Sequence, residues 1–137
     1  MAAQGSGVIL LLSVPGARLV GRGWLGHGAA FAAVEAMTRL LAAELGPLGV
    51  RVLCLRPDAI PEALAYGSHT GQVFARVAGA LGTTTDELLA GRARSATLTG
   101  RLPTLAEVAE TAAFLSSAGA GAMTGSVLNL TCGSLVD

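Results

Sequence analysis

The sequence predicts an α/β fold on a short parallel sheet, and three observations carry that expectation. Residues 7–14 (GVILLLSV) and 50–57 (VRVLCLRP) are almost uninterrupted apolar runs of strand length, the pattern of strands covered on both faces. Between them lies a long stretch rich in alanine and leucine, in which Val34, Met37, Leu41 and Leu45 recur at helical spacing. A third strand-like segment, 125–133 (GSVLNLTCG), follows a further helical stretch. Parallel strands need long crossover connections, usually helical, and this alternation supplies them.

Each element has local support. The helix expected over 24–45 is built from strong helix formers, carries Glu35 and Arg39 between its apolar positions, and stops at Gly46-Pro47. The second strand starts with the β-branched residues Val50 and Val52 and closes on a proline. Residues 61–82 and 83–96 read as short helices. The latter opens with Thr84 and Glu87 at capping-box spacing. Thr104 and Glu107 repeat that spacing before TLAEVAETAAFLSS, where Leu105, Val108, Ala112 and Leu115 form one apolar face. No internal repeat or low-complexity tail interrupts the chain, and residues 1–137 read as one domain.

Composition excludes several functions. The nine basic residues are all arginine, and arginine stays protonated at any ordinary pH. Schiff-base chemistry, a lysine general base and a P-loop lysine are therefore absent from these residues. Nine carboxylates balance the nine cations, so neither nucleic acid nor an acidic membrane surface is an expected partner. Hydrophobic residues make up 52% of the chain and charged residues 13%, a ratio that leaves apolar surface for a protein partner. Cys54 and Cys132 lack C-x-x-C spacing and read as buried free thiols; no metal site is expected. The first apolar run has no basic segment before it and is too short to span a bilayer, which makes a cytoplasmic location the expectation.

Two segments carry a resemblance. AAVEAMTRLLAAELGPLGVRV, and GRLPTLAEVAETAAFLSSAGAGAMTGSVLNLTCG with its Glu-Val-Ala, Phe-Leu and Thr-Gly punctuation, resemble the C-terminal half of the short-chain dehydrogenase/reductases. The resemblance implies a partial Rossmann-like sheet whose three strands are the family's fifth to seventh, with 62–98 as the variable, lid-like region. Met1 falls just before the family's fifth strand, so the glycine-rich turn that cradles a dinucleotide would lie outside these residues. GRGWLGHG (21–28) follows a loop rather than a strand and is not that turn.

The family places a serine at the end of its fifth strand, then a tyrosine and, four residues on, a lysine. Carried over, these positions hold Ser13, His27 and Phe31. Phe31 has no charge with which to depress a neighbour's pKa or hold a ribose. The family's Pro-Gly after the sixth strand is Pro57-Asp58, and Glu62 stands where a nicotinamide-contacting hydroxyl is usual. Tyr66 cannot restore the motif, because Thr70 follows it at the lysine spacing. Hence no catalytic or cofactor-binding residue is expected, and NAD(P) only if a partner supplies the missing half.

Other readings remain open. Ser13 and His27 could form an acid/base or nucleophilic pair without a nucleotide, since imidazole titrates at about 6.5; a capping or surface histidine is the plainer reading. Asp58 and Glu62 suggest paired carboxylates, but a solvated loop is favoured. His69 reads as a loop histidine. Arg92, Arg94 and Arg101 form a loose basic cluster that offsets a helix dipole or faces water. In the family's strand order the 7–14 strand would have one bare edge, and an uncharged strand edge invites pairing with another chain. The expectation is a non-catalytic partner in a homo- or hetero-oligomer, joined through that edge and the 24–45 helix. The alternative is an oxidoreductase completed by a second chain.

Overall fold

The structure is a computed structural model that describes residues 1–20, 24–68 and 70–137. Strand β1 (Gly7–Leu12) leads through a short turn at Pro15–Ala17 to helix α1 (Leu25–Leu45), and β2 (Val50–Pro57) follows. A 3-10 segment, Pro61–Tyr66, precedes α2 (Thr70–Ala80) and α3 (Thr85–Ala96); α4 (Leu105–Ser116) then leads to β3 (Val127–Leu130). The three strands form one parallel sheet in the order β1-β2-β3. Gly7 pairs in register with Val50, and Cys54 with Val127. This is the three-stranded α/β sheet expected from the sequence.

Alternation along β2 divides the core. Leu53 and Leu55 face α4 and pack with Val108, Leu115 and Ala120, while Val8, Leu10, Leu128 and Leu130 complete that layer. The opposite face of β2, bearing Cys54 and Arg56, lies under α1. Every residue of β2 except Arg51 is buried. No residue of β1 reaches that class, because β1 lies at the edge of the sheet. Among the described residues β1 pairs with a strand along one edge only.

The inner face of α1 also departs from the expected apolar stripe. Glu35 and Thr38 are its buried residues, whereas Met37 is 46% exposed. The sheet beneath it presents a guanidinium, and a buried cation requires a carboxylate opposite. Both capping boxes form: Thr84 and Thr104 each accept from the backbone N–H of the glutamate three residues on, whose carboxylate accepts from the cap N–H in return. Between α1 and β2 the chain turns at Gly49, φ 75°, where a Cβ would collide with the Gly5 carbonyl. Only glycine fits there. No helix among the described residues is long and apolar enough to cross a membrane.

Candidate functional site

Just past β1, the Ser13 N–H donates to the Leu55 carbonyl at 2.8 Å and extends the ladder with β2. That fixes the serine side chain on the α1 face of the sheet. Its hydroxyl, 1% exposed, donates to Glu35 Oε1 at 2.8 Å. Glu35 also receives Arg56 Nε at 2.7 Å and Arg56 Nη2 at 3.1 Å, a bidentate pair of the strong, geometry-specific kind. The remaining guanidinium nitrogen, Arg56 Nη1, donates to both carboxylate oxygens of Asp137, at 2.9 and 3.0 Å. Arg18 reaches the same Asp137 carboxylate from the loop after β1.

The charges in this network hold one another in place. Burial alone would raise the Glu35 pKa, but the hydrogen bonds from Arg56 and Ser13 outweigh it, and the carboxyl titrates below its ordinary value. Burial likewise pulls Arg56 down, and the bonds to Glu35 and Asp137 more than reverse it. Asp137 is lowered chiefly by Arg56. Beside the network runs an open groove of about 460 Å³ lined by Arg18, Ala32, Glu35, Arg39, Arg56, Val127 and Asp137.

Of the positions singled out in the sequence, the structure brings His27 against Phe31 and Asp58 against Arg92, but does not bond Ser13 to His27. His27 sits in the first turn of α1 with its ring edge-on to Trp24 and Phe31, at centroid distances of 5.1 and 4.8 Å. It rests against Gly16, whose missing side chain leaves room for the imidazole. Among the described residues no hydrogen bond joins His27 to Ser13; the serine hydroxyl goes to Glu35.

Asp58 is not in a solvated loop. It is 5% exposed and receives Arg92 Nε and Nη2 at 2.7 and 2.9 Å, the Ser134 hydroxyl, and its neighbour's Ala59 N–H at 2.6 Å. Arg92 therefore neither offsets a helix dipole nor simply faces water; it ties α3 to the end of β2. Glu62 is separate, accepting from Leu105 N at 2.5 Å at the start of α4. Arg101 pairs with Glu107 at 2.7 and 2.8 Å, while Arg94 and Tyr66 are exposed. With the Thr104 backbone N–H, Arg101 holds Glu107 down at about 2. His69 lies outside the described residues. Cys54 is buried and Cys132 partly so, both free. Among the described residues no group of three His, Cys, Asp or Glu is placed to hold a metal ion.

Sequence reasoning missed Glu35, Arg18 and Asp137 as partners. One signal was available: Arg56 stands after the apolar run Val52–Leu55 of a strand read as buried, and a buried arginine needs an acidic partner.

Comparison with known proteins fits this architecture. Residues 1–134 match the family described as enoyl-(acyl carrier protein) reductase. The chain belongs to the short-chain dehydrogenase/reductase family. It is 32% identical to the short-chain reductase protein NovJ of Streptomyces niveus, covering 97% of this chain and 47% of that protein. It is 30% identical to the sorbitol-6-phosphate 2-dehydrogenase of Klebsiella pneumoniae, covering 97% and 49%. The crystal structure of sorbitol-6-phosphate 2-dehydrogenase SrlD from Erwinia amylovora superposes over all of this chain and 52% of its own, with a TM-score of 0.83 at 21% identity, a likeness of fold. The chain thus spans about half the length of the relatives it matches.

Proposed function

We propose that this chain is a non-catalytic short-chain dehydrogenase/reductase-like protein that works as a structural or regulatory partner in an oligomer. The observation that carries the reading is the commitment of Ser13: its hydroxyl donates into the buried Glu35–Arg56 pair instead of being presented to a substrate. Positions 27 and 31 support it. They hold two rings in edge-to-face contact, a packing arrangement with no cation to lower a neighbouring pKa or hold a ribose hydroxyl.

The surface is consistent with association. Leu12, Met37 and Leu40 are 59, 46 and 63% exposed, which places apolar groups on the β1 edge and along the outer side of α1. Among the described residues no strand pairs with the outer edge of β1. A backbone group left without a partner when that edge is covered costs about 1–3 kcal/mol, so a partner strand is the covering that suits it.

Light scattering after size exclusion at micromolar protein, with calorimetric titration of NADH and NADPH, tests the reading. A stable oligomer without nucleotide binding is expected. A stable monomer, or tight nucleotide binding by the chain alone, would overturn it.

The family membership favours a second reading, an oxidoreductase completed by another polypeptide that supplies the nucleotide-binding half. Its signature is NAD(P)H oxidation that appears only on mixing with that partner. A cofactor-independent Ser13–His27 enzyme has less support, since the serine is held by Glu35; unchanged activity in His27→Ala would remove it.

A further inference from the structure

We propose that the groove beside α1 is a binding site for a phosphate group, with the Asp137 side chain as its built-in competitor. Three arginines, Arg18, Arg39 and Arg56, line the groove. Arg56 is the fixed member: its side chain is 3% exposed, and Glu35 locks its orientation with two hydrogen bonds. Its third nitrogen donates to the Asp137 carboxylate, which also accepts from Arg18. One carboxylate clamped between two guanidiniums is the geometry that arginine offers to oxyanions generally.

Charge balance argues for a ligand with more charge than Asp137 provides. Around the groove three cations face two carboxylates, Glu35 and Asp137. Glu35 and Asp137 both bond Arg56, and Asp137 also pairs with Arg18, so Arg39 is the cation of this groove that neither carboxylate bonds. Arg39 is exposed and makes no ion pair among the described residues. A phosphate dianion in place of the Asp137 side chain would keep the bonds to Arg18 and Arg56 and bring a second negative charge into the groove that Arg39 also lines. The occupant is also displaceable: Asp137 is 37% exposed in its side chain and follows the exposed Val136. At about 460 Å³ the groove has the size of a small-molecule site, with Ala32 and Val127 available to a carbon skeleton beyond the phosphate.

The proposal does not depend on whether the chain is catalytic. It is tested by titrating inorganic phosphate, and separately glycerol phosphate, into the 137-residue chain at constant ionic strength, following arginine Nε–H and backbone amide signals by NMR. Asp137→Asn removes the competitor and one like charge, and should tighten binding at least about tenfold. Arg18→Ala and Arg39→Ala, both on exposed side chains, should each weaken it by about tenfold or more. Tighter binding of the ester assigns the site to a phosphorylated small molecule, and equal binding assigns it to free phosphate; both keep the site. Asp137→Asn binding no more tightly than wild type, or arginine variants binding as wild type does, would overturn the proposal while leaving the oligomer reading untouched.

Discussion

Replacing Glu35 by glutamine removes one charge from the interior and leaves the shape nearly intact. Arg56 then stays buried at 3% side-chain exposure with an amide N–H₂ facing one of its own donors. Removing one member of a buried ion pair typically destabilises by about 3–5 kcal/mol. Asp137 still holds Arg56 Nη1, which puts the expected loss at the lower end, about 3 kcal/mol, a large part of the roughly 5–15 kcal/mol that holds a domain together. Urea unfolding followed by circular dichroism should show a lower midpoint with the same slope. The double variant Glu35→Leu/Arg56→Met should recover part of the loss, because no buried guanidinium is left unpaired and Asp137 keeps Arg18, although the buried Ser13 hydroxyl loses its acceptor.

The pH dependence carries the same signature. Glu35 has a folded pKa below its unfolded one. Its contribution is present in full above the ordinary carboxylate value and disappears as pH falls through the folded pKa. Glu35→Gln should lack that component of acid destabilisation. A loss below about 1 kcal/mol, or an unchanged acid limb, would refute the assignment of Glu35–Arg56 as the polar centre of this fold.

Other outcomes follow from the remaining contacts. Arg92→Ala leaves the buried Asp58 carboxylate without its bidentate partner, so amide hydrogen exchange should accelerate across 85–96 before it does across β2. Thr104→Ala removes one half of the α4 capping box and should cost about 1 kcal/mol, read by thermal or urea unfolding. Arg101→Ala should let the Glu107 carboxyl rise from about 2 toward its ordinary 4.5, visible in a carbon-13 NMR titration. Burial pushes the Cys54 thiol pKa up, so it should react with a thiol reagent only once denaturant opens the chain.

Elements set by local chemistry were legible in the sequence. The three strands, the long helix and both capping boxes depend on periodicity, caps and breakers within a few residues of each other, and all of them form. Contacts between distant segments were not. Nothing in the neighbourhood of Asp58 announces Arg92, 34 positions on, so a carboxylate four residues from Glu62 reads as part of an exposed loop. Glu35 misleads for a related reason. On a helix wheel it falls away from the Val34, Met37, Leu41 and Leu45 stripe, and its burial goes with the position of Arg56 on the α1 face of β2. The candidate site inherits that difficulty. Ser13 was identified from its place at a strand end, but which partner takes its hydroxyl depends on a charge 43 positions farther along, and that information is tertiary.

The polar centre also implies an order of assembly. Glu35 and Arg56 are 21 positions apart, whereas Arg56 and Asp137 are 81 apart. Loop closure favours the shorter span, so docking α1 on β2 can neutralise the guanidinium while the rest of the polypeptide is still unorganised. The tail carboxylate can join only after β3 has formed beside β2. A nascent chain would thus shelter the Arg56 guanidinium early and latch Asp137 late, and slowed refolding in Glu35→Gln, set against faster unfolding in Asp137→Asn, is the kinetic trace such a sequence of events would leave.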